Sequence, residues 1–322
     1  MTSVLSTDKS WAANQPGREW LIGNARLTDY SGLLLGAHIA HAGLIMFWAG
    51  SITLSEVSRF SPDIPLPDQH FLLLPHLATL GIGVDSAGGL THSYGFFVVG
   101  ILHLAASAVL AAGGLFHVFK GPEDLSQGKG RAVAFHYDWS DSQSLSKVLG
   151  HHLIMLGIAA LAFVLKATHW GGIYDGVLHQ TRLVEHPTLN PATIFGYLVG
   201  FNHGQWSIWG MASVNSLEDI VGGHAWLSIM LIFGGIWHLT QAPKKIFMDR
   251  LIVNGDAILS YSLGGLAFMG FVSSAFVTKC SLAFPMEFYG NDHGAMVVTQ
   301  QLLAVVALGG HLWHAYRAKS AQ

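Results

Sequence analysis

The chain has 322 residues, of which 51% are hydrophobic and only 11% charged, with a formal net charge of −3. Soluble domains carry charges at roughly a quarter of their positions, so this composition excludes an ordinary soluble globular protein and points to the bilayer. The near-neutral charge and the lack of a basic tail argue against nucleic acid as a partner, and the single cysteine, Cys280, excludes an internal disulfide framework.

In chain order, the first 30 residues are polar, which predicts no cleavable leader. Residues 31–55 lack Asp, Glu, Lys and Arg and contain GAHIAHAGLIMFW, with His38 and His41 one helical turn apart. A connection over 56–92 follows, punctuated by Pro62, Pro65 and Pro67, and it holds His76 in LLPHLATLG. The next charge-free window, 93–119, carries His103 and His117; the third, 147–165, charge-free after Lys147 at its start, carries His151 and His152. After a second long connection, 170–218, come 220–241 with His224 and His238, 257–278 with no histidine, and 294–316 with Gln300, His311 and His314. Each window is about the 20 residues a helix needs to cross a bilayer and too long for barrel strands. The reading is an all-α membrane protein of six transmembrane helices in a single domain over 1–322. Of the 16 Lys and Arg, 12 fall on the terminal tails and the second and fourth loops, which places both termini in the cytoplasmic compartment.

Ionisable residues inside a membrane are uncommon and mark functional sites. One such histidine alone is as readily a helix-to-helix hydrogen bond. Ten of them with almost no carboxylates to pair with make that reading weak. His103 and His117 are 14 residues apart, as are His224 and His238; at about 1.5 Å per residue this returns to one face roughly 21 Å along the axis, giving one ligand near each membrane surface. Stepping back 14 from His314 reaches Gln300, whose carbonyl oxygen is also a ligand. GGLFH, GGIWH and GHLWH close the second, fourth and sixth windows, each with glycine four before the histidine, where a missing side chain leaves room for a flat ring. Gly36, His38 and Gly43 match Gly150, His152 and Gly157, and the pattern predicts three helix pairs around a pseudo-threefold axis.

Dispersed single donors suit macrocycles that supply their own nitrogens rather than bare zinc or iron, which need converging ligands. Two cofactors remain: haem, in a diheme electron carrier with histidines paired across helices, and chlorophyll, with one axial ligand per magnesium. A transporter is disfavoured because the spans lack buried carboxylates. His92 and His151 are read as hydrogen-bonding residues, and His70, His136, His169, His179, His186, His203 and His293 as solvated loop or helix-end residues. Glu218 and Asp219 read as an N-terminal helix cap, with a pigment contact as the lesser alternative. Trp48, Phe97, Phe116, Trp226, Trp237 and Trp313 either line rings or sit at the lipid interface.

GNARL, GAHIAHAGLIMFWAG, LLPHLATLGIG, FFVVGILHL, LGHHLIMLGI, LEDIVGGHAW, GGIWH, LSYSLGGLAFMGF, EFYG and GGHLWHA together resemble the six-helix chlorophyll antenna family of cyanobacteria, from about residue 20 to 318. That family includes the prochlorophyte chlorophyll-binding (Pcb) proteins, the iron-stress-induced antenna and the smaller core antenna of photosystem II. The resemblance implies a light-harvesting protein of the thylakoid membrane that binds chlorophyll and carotenoid, passes excitation to photosystem I or II, associates with other antenna copies, or acts as a photoprotective quencher, and has no catalytic residues. It further implies axial ligation of chlorophyll magnesium by His38, His41, His103, His117, His152, His224, His238, His311 and His314 through imidazole nitrogen and by Asn24 through its amide oxygen, with His76 ligating or orienting a pigment. Gln300 departs from the histidine usual there, so its oxygen or an intervening water takes the magnesium, or that pigment is missing. EFYGNDHG leads almost directly into the last helix, whereas the photosystem II core subunit has a very large domain there; the resemblance therefore implies an accessory antenna.

Overall fold

The computed structural model describes residues 27–90, 92–139, 141–241, 243 and 250–320; Asn24 lies outside the described residues. Six long helices dominate: α1 (Ser31–Val57), α3 (Tyr94–Phe119), α4 (Ser142–Thr168), α6 (Leu217–Thr240), α7 (Gly255–Lys279) and α9 (Gly294–Ser320). All six are long and apolar enough to cross a bilayer. They correspond one to one with the six apolar windows. Their ends run beyond the windows where polar caps continue the helix: Asp141 caps α4, Ser216 caps α6 and Asn254 caps α7, each accepting a first-turn backbone N–H.

The spanning helices make their extensive contacts in antiparallel pairs, α1 with α3, α4 with α6, and α7 with α9. Small residues at seven-residue spacing form the seams. Gly36, Gly43 and Gly50 are buried on α1 and Gly100, Ser107 and Gly114 on α3. Gly150 and Gly157 on α4 meet Val221, Ser228 and Gly235 on α6; Ser260, Ala267 and Ser274 on α7 meet a stripe of Ala304 and Ala318 on α9, with His311 midway. Without a hydrophobic force between helices in lipid, close backbone approach supplies the attraction, and only small residues permit it. A Cβ on Gly114 would lie 2.6 Å from the Ala40 backbone nitrogen, and one on Gly235 would lie 2.7 Å from the Gly150 carbonyl oxygen. Ser228 Oγ also donates to the Gly157 carbonyl across the second seam at 2.9 Å.

The large buried side chains sit elsewhere. The connections 58–93, 169–216 and 280–293 form a layer at the end of the bundle opposite the C-terminal end of α9, called here the loop face. It contains α2 (Leu74–Thr79), α5 (Pro191–Gly196), α8 (Met286–Tyr289) and two short antiparallel hairpins, β1 (Ile173–Asp175) with β2 (Gln180–Arg182) and β3 (Phe201–Asn202) with β4 (Gln205–Trp206). One apolar cluster joins Leu66, Leu74, Phe96, Tyr174 and Phe288; a second joins Ala167, Ile173, Val184, Val214, Val221 and Cys280. Both clusters draw on more than one helix pair, so the loop layer clasps the pairs together. Each fully buried large side chain contributes about 1.5–3 kcal/mol. At the opposite face, Trp139 Nε1 donates to the Thr28 carbonyl at 2.8 Å, linking the segment before α4 to that before α1.

Candidate functional site: histidines beside the helix seams

The seam fixes where the histidines point. His103 and His117 stand three residues after Gly100 and Gly114, His224 and His238 three after Val221 and Gly235, and His314 three after His311. Three residues turn about 300°, so these side chains flank the seam, and all five are half-buried. His38 and His152 stand two residues after Gly36 and Gly150, about 200° round and away from the partner helix; both are exposed, as is His41.

The glycine doublets have two separate jobs. In GGLFH and GGIWH the second glycine, Gly114 or Gly235, lies in the seam, while the first is outside it. A Cβ on Gly234 would meet no protein atom within 4 Å. In GHLWH, His311 takes the seam position itself, and the α7 backbone makes room because a Cβ on Gly264 would come within 2.9 Å of its Nδ1.

Ring-nitrogen geometry sets what these histidines can do. Nδ1 of His38, His103 and His224 lies 2.8 Å from the carbonyl four residues earlier, of Leu34, Val99 and Ile220 respectively. A carbonyl only accepts, so Nδ1 carries the proton and the Nε2 lone pair is left as the donor. His76, on α2, has the same arrangement with Leu72 at 2.9 Å, and so has His151 with Lys147 at 2.8 Å.

Near the C-terminal ends of α6 and α9, the partner helix supplies the Nδ1 contact. His238 Nδ1 is 3.0 Å from Ser146 Oγ, which is also 3.1 Å from the His238 carbonyl. The hydroxyl donates to that carbonyl and accepts from Nδ1–H. His311 repeats this with Ser260, whose Oγ is 3.0 Å from Nδ1 and 3.1 Å from the His311 carbonyl, and its Nδ1 also lies 2.9 Å from the Ser260 carbonyl. His314 Nδ1 lies 2.7 Å from Asp256 Oδ1. Nε2 in each of these eight rings bonds to no described residue. His41, His117, His152 and Gln300 make no side-chain hydrogen bond among the described residues, and His117 packs edge-on against Phe116 at 5.6 Å.

Among the described residues no three His, Cys, Asp or Glu side chains converge to hold a bare metal ion. The donor set is one of separate, single nitrogens, with the tautomer fixed wherever Nδ1 is engaged. It fits a metal whose other positions are already filled by a macrocycle, and such a metal would sit against Nε2. Aromatic neighbours steer the rings: Phe163 lies 4.5 Å from His224 and Trp237 lies 5.0 Å from His238.

Several loop residues are engaged where the sequence predicts solvation. His203 Nε2 contacts the buried Asp219 carboxylate at 2.9 Å, and Tyr197 donates to the same oxygen at 2.7 Å. Asp219 thus ties the loop layer to α6, while Ser216 supplies the cap. His179 pairs with Glu287, His136 with Asp124, and His293 places both ring nitrogens at backbone carbonyls, of Val277 and Gly290. Trp226 donates to the Leu189 carbonyl at 3.1 Å, which fixes the loop above α6. His76 sits against Tyr289 at 5.3 Å, whose phenol is pushed upward by burial. The Nδ1 partners Ser146, Ser260 and Asp256 are not singled out by the histidine pattern. The signal was available at Ser146, four residues before Gly150 as Gly32 is four before Gly36.

Fold and donor set together define a multi-span membrane protein with dispersed single imidazole donors. Residues 16–296 match the family described as photosystem II protein, and the chain belongs to that family. It is 54% identical over 317 residues to the chlorophyll a/b light-harvesting protein Pcb of Fischerella muscicola, covering 98% of each chain. It is also 54% identical over 302 residues to the chlorophyll a/b light-harvesting protein PcbC of Prochlorothrix hollandica, covering 94% of this chain and 80% of that one.

Proposed function

We propose that the chain is an accessory light-harvesting antenna of the thylakoid membrane, in which His38, His41, His103, His117, His152, His224, His238, His311 and His314 each present Nε2 to the magnesium of one chlorophyll. Gln300 offers its amide oxygen at the place equivalent to His103 and His224, Asn24 does the same in the N-terminal segment, and His76 addresses a pigment from the loop face. Bound chlorophyll absorbs light and passes on excitation without making or breaking a bond. The protein's own part is to fix position and orientation: the Nδ1 contacts set the ring planes of His38, His103, His224, His238, His311 and His314, and the seam glycines hold the helices that carry them. The observation that supports this most strongly is the tautomer shared by six of the nine, His38, His103, His224, His238, His311 and His314, each with Nδ1 engaged and Nε2 bonded to no described residue.

Carotenoid is the second pigment in this reading. The chain associates with the bilayer and with a photosystem; the core of photosystem I or II, and further antenna copies, are the neighbours we assign. The Lys and Arg bias puts the terminal face on the cytoplasmic or stromal side. The deciding experiment is the absorption spectrum of the detergent-purified protein with chromatography of its solvent extract. Abundant chlorophyll and carotenoid without reducible haem bands is the expected result; a reduced haem spectrum without chlorophyll overturns it.

A further inference from the structure

The three closing histidines, His117, His238 and His314, occupy matching places in their helices, yet the residue set against them from the partner helix differs. Four residues before the first seam residue of α1, α4 and α7 stand Gly32, Ser146 and Asp256. His117 therefore receives no side-chain partner among the described residues, His238 receives a hydroxyl at 3.0 Å and His314 a carboxylate at 2.7 Å. Arg317, one turn after His314, donates to both Asp256 oxygens at 3.2 and 3.3 Å, so the carboxylate is held from two sides.

An Nδ1–H donated to a carboxylate pushes electron density onto Nε2 and strengthens it as a ligand, more than a hydroxyl partner does, and it also locks the ring plane. We propose that this inter-helix position grades the three terminal-face pigment sites, with Asp256 as the positioning residue that makes His314 the strongest magnesium ligand, His238 intermediate and His117 weakest. This rests on the ligand reading above and adds to it a ranking of sites and the residues that set it.

The test uses the detergent-purified pigment–protein complex, measuring chlorophyll per chain, the rate of chlorophyll release under excess free imidazole, and low-temperature absorption difference spectra. His314→Leu should lower the count by one chlorophyll. Asp256→Asn should keep that chlorophyll while releasing it about tenfold faster, with a band shift confined to the pigment that H314L removes. Ser146→Asp should do the converse, slowing release of the chlorophyll lost in His238→Leu. That gain cannot arise from structural damage, and it decides the matter should the Asp256 variant fail to accumulate. If H314L and H238L each lose one chlorophyll while D256N and S146D leave release rates and spectra unchanged, the grading is overturned and ligation stands. If H314L and H238L retain every chlorophyll, the ligand reading fails and takes the grading with it.

Discussion

The Glu56 carboxylate accepts the backbone N–H of Leu74 at 2.9 Å, joining the last turn of α1 to the first turn of the helix that carries His76. It also accepts from Leu72 at 2.6 Å and Leu73 at 2.9 Å, so one buried side chain satisfies three donors at a helix start, where the dipole favours negative charge. Glu56→Gln keeps an oxygen but loses the charge and an acceptor. It should cost about 1–3 kcal/mol, seen as a lower midpoint of thermal unfolding in detergent, and Glu56→Ala should cost more. An unchanged midpoint in E56A would show that the contact is dispensable.

Gly234 and Gly235 are neighbours with opposite expectations. Gly235→Ala forces a Cβ against the Gly150 carbonyl and should part α4 from α6, lowering accumulation and thermal stability. Gly234→Ala meets no protein atom and gains helix propensity of about 1 kcal/mol, so the polypeptide should tolerate it while chlorophyll per chain falls if a ring lies over that glycine. Equal pigment content in G234A and the parent would place no ring there.

His224→Leu should remove one chlorophyll per chain and change the red absorption band, leaving the fold intact because Phe163 still packs against the apolar replacement. The control is His186→Leu, at an exposed loop position, which should leave pigment content unchanged. Identical pigment counts in the two variants would sink the assignment of His224.

Acid should loosen the loop layer before the helices. Burial pushes Asp175 up, but the Arg182 guanidinium and the N–H groups of Val177 and Leu178 outweigh it and hold the carboxyl below its ordinary value of 3.8. A depressed native-state value contributes stability that is present above the ordinary value and lost as pH falls through the depressed one. Limited proteolysis within 173–216 should therefore stay slow down to about pH 4 and accelerate below it. Asp175→Asn should cleave faster at neutral pH and lose most of this acid dependence. Arg182 also bridges to Glu218 at 2.8 Å, so its substitution should loosen the same segment.

The six spans were legible because a charge in hydrocarbon is costly, so its absence over a helix length is informative. The 14-residue histidine spacing was legible because helix geometry is regular. The seam was not: glycine is abundant, with 38 in the chain, and nothing in GGIWH says which of Gly234 and Gly235 faces the partner. Ser146 and Asp256 escaped for the same reason, since pairing between helices is a tertiary relation. The engaged His203 and His179 look solvated in sequence because their partners lie 16 and 108 residues away, and His293 because one of its two partners, the Val277 carbonyl, lies 16 away.

The separation of seams from the loop layer has a consequence for how the protein is made. Each seam joins two spanning helices adjacent in the chain, so each hairpin can form as its second helix leaves the ribosome, with only short-range loop closure to pay for in entropy. The contacts that unite the last hairpin with the others wait longest. Tyr174 meets Phe288 at 4.5 Å between ring centres, and this meeting requires synthesis to have passed the fifth spanning helix. Until then the surfaces that will face the last hairpin stay open to the bilayer from the side, a period in which a bulky, membrane-dissolved ring can enter without unthreading any part of the chain. Closure of the loop layer then ends that period.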